Sequence, residues 1–194
     1  MILSNLEIQK ALDEGRLVIN PVPEPLKKEH GKYCPYDTHS VDLKLYSEIT
    51  EPTDAPFVYD LTQSGSLAEL ISKNSKKYIL TRDQPFHLNP RRFILGRTLE
   101  KIGLPIKKGP PYLAARIEGK SSRARCGVLV HFTAPTVHPG WEGPLTLEII
   151  NLGPTTFALH PGMPIAQLIV EEVRGEVILN PSQFQNQSTP EGLP

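Results

Sequence analysis

The chain has 194 residues, and its 21 Lys plus Arg are matched by 21 Asp plus Glu, so the formal net charge is zero. That length suits one domain with a real core, and charge neutrality excludes bulk electrostatic binding to nucleic acid or to an anionic membrane surface. With only two cysteines, Cys34 and Cys126, no charged-then-apolar leader at the N-terminus and no apolar run of spanning length, the expectation is a single cytoplasmic domain without disulfides or a membrane segment.

The N-terminal residues predict a short helix. Ser4 is placed as N-cap with Glu7 three residues on, Leu6, Ile8, Ala11 and Leu12 give an apolar face, and Gly15 ends it. Leu17–Ile19 reads as a short strand, residues 20–39 as a Pro-rich surface loop, and Ser40–Leu45 as a strand with Val41, Leu43 and Leu45 alternating. Asp42, on the opposite face, reads as an ion-pairing residue between strands or subunits. Residues 46–77 carry little signal: Leu67–Ile71 suggests a helical turn, Glu51–Pro56 a loop, and Lys73–Lys77 a basic turn. His30, His39 and His87 are scattered without metal-ligand spacing. Phe93–Leu95, Tyr112–Ile117, Val128–Thr133, Phe157–Leu159 and Ile165–Val170 read as further strands with Gly/Pro turns between them, which together indicate an all-β barrel or jelly-roll-like fold. The polar tail, 180–194, is expected to be mobile.

The densest chemistry lies between Glu118 and Glu148. Lys120, Ser121, Ser122, Arg123 and Arg125 form a basic and hydroxyl cluster suited to an anion. Pro139–Gly143 is a turn, after which Leu145, Leu147 and Ile149 alternate with Thr146 and Glu148, so that Thr146 and Glu148 share one face of a strand. A carboxylate held on a strand opposite hydroxyls and guanidinium groups makes a plausible nucleotide pocket. Taken singly, a Ser-Ser-Arg run is often just a turn, and a strand glutamate is often an exposed ion-pairing residue.

Three ordered motifs carry a family resemblance. Gly119-Lys120-Ser121-Ser122-Arg123-Ala124-Arg125 resembles G-[RK]-S-S-x-x-R, Thr133–Gly143 resembles T-A-x-x-x-[DH]-P-G-[WFY]-x-G, and Leu147-Glu148 resembles the strand that follows. They are similar to the dCTP deaminase branch of the trimeric dUTPase-like superfamily. Ser40–Leu45, Arg97–Pro105 and Pro161–Leu168 also resemble segments of that branch. The resemblance implies a mostly β, dUTPase-like distorted β-barrel or jelly-roll with a short N-terminal helix, formed by residues 1–194 as one domain. It implies a homotrimer with shared active sites acting on dCTP or dUTP, with dTTP as inhibitor and Mg²⁺ accompanying the triphosphate.

Roles follow from the same resemblance. Glu148 would be the general acid/base, its pKa raised by partial burial. Arg125 would orient the water or the carboxylate, and Ser121 would hold the water or the leaving amine. That serine and arginine reach the pocket from a neighbouring subunit. Lys120 and Ser122 would meet phosphate oxygens, and Arg123, Ala124, Thr146 and Leu147 complete the binding set. Gln167 matches a nucleotide-contacting glutamine, while Gln183, Phe184 and Gln187 fall on a C-terminal lid. Trp141 fits pocket lining and core packing equally. Zinc deamination would need a Pro-Cys-x-x-Cys signature that this chain lacks, so no zinc is expected.

His138 stands where many relatives have an aspartate that contacts the sugar 3′-hydroxyl, and Thr136 stands where some have arginine. A histidine can still bind a hydroxyl, but the aspartate-dependent dUTPase mechanism does not carry over. Three readings stay open at this point: a dCTP deaminase, a bifunctional deaminase-diphosphatase giving dUMP and pyrophosphate, and a non-catalytic nucleotide-binding regulator.

Overall fold

The structure is a computed structural model that describes residues 1–54, 58–62, 67–106, 109–180 and 182–194. Helix α1 (Asn5–Asp13) starts where the cap signal places it: the Ser4 side chain accepts from the Glu7 amide at 3.3 Å, and Ile8 and Ala11 are buried. Gly15, at φ 66°, turns the chain out of the helix. Strand β1 (Val18–Asn20) follows, then β2 (Val41–Lys44).

The region between 46 and 90 holds more structure than its sequence showed. Strand β3 (Glu48–Pro52) takes in the first two residues of the stretch read as loop, and residues 55–56 of that stretch lie outside the described residues. The segment read as a basic turn, 73–77, runs from the end of helix α2 (Leu67–Lys73) through a turn at Asn74 into strand β4 (Ser75–Ile79). Strand β4 lies at the edge of its sheet with Lys76 and Lys77 in it, and charged edge strands lose the alternation that marks an interior strand. Strand β5 (Phe86–Leu88) precedes the long β6 (Phe93–Gly103), which extends well beyond the three residues expected. Then come β7 (Tyr112–Gly119), the single turn α3 (Ser121–Ala124), β8 (Val128–Val130), β9 (Thr136–Val137), β10 (Glu142–Asn151), β11 (Phe157–Leu159) and β12 (Pro164–Val173).

The strands form three sheets rather than one closed barrel. A six-stranded antiparallel sheet runs β4-β3-β6-β10-β8, with β1 also on β6; a four-stranded sheet runs β2-β12-β7-β9; β11 and β5 make a two-stranded ribbon. One face of each larger sheet enters a common core, where Leu43, Ile117, Ile94, Leu147 and Ile149 are among the most deeply buried side chains. Alternation explains the partition on β10: Leu147 and Ile149 point inward, while Thr146 and Glu148 point away from the core.

Register across the six-stranded sheet sets the site. Lys77 pairs with Thr50, Thr50 with Leu95, and Leu95 with Glu148. The amide of His131, just beyond β8, donates to the Glu148 carbonyl at 2.7 Å. Cross-strand partners share a face, so Lys77, Thr50, Leu95, Glu148 and His131 form one row across the sheet. Where α3 returns to the sheet, Gly127 (φ 84°) meets Gly153: a Cβ on Gly127 would stand 2.4 Å from the Gly153 amide nitrogen. Only glycine allows that approach.

Candidate active site

Above this row lies a cavity of about 980 Å³. Its floor includes Leu95, Thr146 and Glu148, its side the β9–β10 turn with His138 and Trp141, and its roof the C-terminal segment with Gln183, Phe184, Gln187 and Glu191. The volume is at the upper end of small-ligand sites. Phe93, Leu95, Ile117, Leu145, Trp141 and Phe184 give it apolar walls, and Thr136 also borders it. Among the described lining residues there is no lysine or arginine.

Glu148 is the chemical centre of the cavity. Its carboxylate Oε2 lies 2.7 Å from His131 Nδ1, with 28% of the Glu148 side chain and 11% of the His131 side chain exposed. Neither atom forms a hydrogen bond of regular geometry, so the contact is a close charge pair between two buried atoms. The other ring nitrogen, Nε2, lies 2.7 Å from the Ala134 carbonyl. Both imidazole nitrogens therefore face acceptors, an arrangement that favours the doubly protonated ring.

Burial pushes His131 down, but the contact with Glu148, the carboxylate's charge and the Ala134 carbonyl outweigh it, and the imidazole is held above its usual range. Burial raises the Glu148 carboxyl, yet the contact with His131 and its charge win, and the net direction is downward. This corrects the expectation of a raised Glu148 pKa: burial acts as anticipated, and His131 reverses the sign. Sequence reasoning missed His131. Its signal was weak, a histidine closing an apolar run, and its role depends on the register of β8 against β10. It also takes φ 53°, a conformation uncommon outside glycine.

The other expected site residues fall into two groups. His138, Trp141, Thr146, Gln183, Phe184 and Gln187 border the cavity with Glu148. Trp141 does so while also packing against the core. Gln187 is buried, and its Nε2 donates to the Pro144 carbonyl at 2.9 Å. The tail expected as a lid, 180–194, borders the cavity through Asn180, Gln183, Phe184, Gln187 and Glu191.

Lys120, Ser121, Ser122, Arg123, Ala124 and Arg125 do not line the cavity. They occupy α3 and its flanks, where Arg125 Nη1 donates to Ser121 Oγ at 2.8 Å on an exposed surface. Lys120 is engaged by Asp42, which also accepts from Tyr33 Oη at 2.7 Å; the anticipated ion pair of Asp42 is thus made within this chain. Gln167 sits on the four-stranded sheet, between Asp42 and Glu118 in register, on the side of Lys120 rather than of Glu148. The Leu147 side chain is fully buried in the core and does not face the cavity. Both cysteines are free, no helix among the described residues is long and apolar enough to cross a membrane, and no cluster of three or more potential metal-ligating side chains occurs among them.

Residues 2–173 match the dCTP deaminase-like family. A "dCTP deaminase, dUMP-forming" of Dictyoglomus thermophilum is 37% identical over 171 residues, covering 87% of this chain and 78% of that protein. A "dCTP deaminase" of Natronomonas pharaonis is 36% identical over 174 residues, covering 90% of this chain and 82% of that protein. Among solved structures, 2′-deoxycytidine 5′-triphosphate deaminase from Agrobacterium tumefaciens superposes with a TM-score of 0.61 at 17% identity; the match covers 94% of this chain but spans only 50% of that longer one, and at that identity it speaks for the fold.

Proposed function

The chain belongs to the dCTP deaminase-like family, and on that premise we propose that it hydrolyses the exocyclic amine of dCTP, giving dUTP and ammonia, with Glu148 as general acid/base. The observation that carries the reading is the Glu148–His131 pair on the floor of a nucleotide-sized cavity. A carboxylate held ionised by an imidazolium is prepared to act first as a base. Water attacks C4 of the cytosine and gives a proton to Glu148. The protonated Glu148 then delivers it to the amine, the C4–N bond breaks, and ammonia leaves. Thr146, beside Glu148 on the same strand face, and His138 at the rim would orient base and sugar.

The triphosphate needs cations that the described cavity lining lacks. This supports a site completed by another copy, whose Ser121, Ser122, Arg125 and Lys120 would approach from the α3 surface in a homotrimer. Ser121 would then hold the water or the leaving amine, and Arg125 would orient Glu148. Mg²⁺ would arrive on the triphosphate and offset its charge. The two glutamates among the described lining residues are already engaged by His131 and Lys77, so neither is free to hold the ion there. The thymine nucleotide dTTP would compete for the same cavity.

A second reading, favoured by relatives named as dUMP-forming, has the same site go on to release pyrophosphate. Incubation with dCTP and Mg²⁺, with nucleotides and pyrophosphate resolved by chromatography, separates the two: dUTP accumulates in the first case, and dUMP and pyrophosphate appear together in the second. Glu148→Gln should bind dCTP and release no ammonia. A fully active Glu148→Gln protein would sink both readings.

A further inference from the structure

The roof of the cavity is fastened at two ends. At one end three residues bond to the β9–β10 turn and the start of β10: Gln185 Nε2 to Gly140 O at 3.1 Å, Asn186 N to Glu142 O at 3.0 Å, and Gln187 Nε2 to Pro144 O at 2.9 Å. Gln187 is also where the family resemblance stops. At the other end is Glu191, whose side chain is wholly buried. Its Oε1 accepts from Thr50 Oγ1 at 2.9 Å and lies 3.1 Å from Lys77 Nζ, while Oε2 has no hydrogen-bonding partner. A tight turn presents it: Ser188 N donates to Leu193 O at 2.7 Å, and Leu193 N to Thr189 Oγ1 at 2.9 Å.

Thr50 and Lys77 are members of the row that ends in Glu148 and His131, and only Leu95 separates Thr50 from Glu148 along it. Two strand spacings put the fastening roughly 10 Å from the reacting carboxylate. An ion pair between a buried carboxylate and a half-exposed ammonium contributes little net stability, because solvent screens the cation and desolvation of the carboxylate offsets much of the attraction. What such a pair contributes is a fixed position: the tail has one place on the sheet where its carboxylate finds both a hydroxyl and an ammonium.

We propose that Glu191 is a positioning residue for the reaction at Glu148. Through Lys77 and Thr50 it fixes the strap so that Phe184 and Gln187 close over the bound nucleotide. This rests on the deaminase reading above and goes beyond it, since no residue past Gln187 has a role there. Because 43% of the Lys77 side chain is exposed, dissolved anions compete for it and the fastening weakens as salt rises.

The test compares wild type with E191Q, K77M and K77R. Glutamine keeps the shape of Glu191 and can still accept from Thr50, so E191Q removes the charge alone. Hydrogen–deuterium exchange without nucleotide reads amides 184–193, and steady-state kinetics read turnover of dCTP. Exchange should rise about 10-fold in E191Q and K77M and stay near wild type in K77R. In the same two variants KM should rise about 10-fold while kcat stays within about two-fold. Unchanged exchange in E191Q and K77M overturns the proposal, as does a loss of kcat at constant KM. Wild-type protein that leaves dCTP intact would overturn the deaminase reading, while the exchange data would still decide whether Glu191 holds the strap.

Discussion

Replacing His131 with asparagine removes the partner of Glu148 at little backbone cost. The native residue sits at φ 53°, a region that asparagine tolerates better than most L-residues. Glu148→Gln removes the other charge at nearly constant volume, and the two together complete a double-mutant cycle. Two unit charges about 4 Å apart attract by about 4 kcal/mol at an effective dielectric near 20. Partial exposure of both side chains, 11% and 28%, screens this, and desolvation offsets part of the rest, so the expected coupling is about 1–2 kcal/mol. Its pH dependence follows from the two shifts. His131 is raised, so its contribution is full below its ordinary 6.5 and fades as pH climbs through the folded value. Glu148 is lowered, so its contribution is full above its ordinary 4.5 and fades as pH falls through the folded value. The coupling is therefore greatest in the window between those two values. Urea unfolding of the four proteins at fixed concentration, at about pH 5.5 and about pH 9, measures it. A coupling below about 0.3 kcal/mol at the lower pH, or one that grows toward the higher, would refute the assignment of the pair.

Two further substitutions probe the scaffold. Glu100 is buried on β6, where its Oε2 accepts from the Lys44 amide at 2.9 Å, and burial raises its carboxyl. A raised carboxyl gives stability below its ordinary value of 4.5 that is lost as pH rises through the folded value. Glu100→Gln should match wild type in thermal melts at about pH 4 and melt higher at about pH 8; equal melting at both would contradict it. Asp42→Ala strips Lys120 and the Tyr33 hydroxyl of their shared acceptor and should cost about 2 kcal/mol in urea unfolding. Unchanged stability would mean that both groups find solvent freely.

Where local pattern and tertiary structure agree, the sequence was readable. The Ser4 cap, the alternating residues of β2 and the opposition of Leu147 to Glu148 on β10 all appear where the chain alone puts them. Strands β3 and β4 were hidden because Pro52 and the adjacent Lys76 and Lys77 carry loop-like chemistry in elements near the sheet edge. His131 and Glu191 were invisible for another reason: each gains its meaning from a partner on a different strand, and register cannot be read from linear order. The basic cluster was legible as chemistry, but its placement on another surface from Glu148 within one chain is a property of the fold. The error over the Glu148 carboxyl has the same root, since burial can be guessed from alternation and a specific imidazole cannot.

The Gly127–Gly153 crossing makes one mechanical part of two pieces of chemistry. Gly127 ends the turn that carries Ser121 and Arg125, Gly153 follows the strand that carries Glu148, and Leu152 N also donates to Gly127 O at 2.8 Å. With backbone pressed on backbone, no side chain lies between them to absorb displacement. The exposed Ser121–Arg125 turn is thus seated directly on the end of β10, at a spacing that the main chain alone sets.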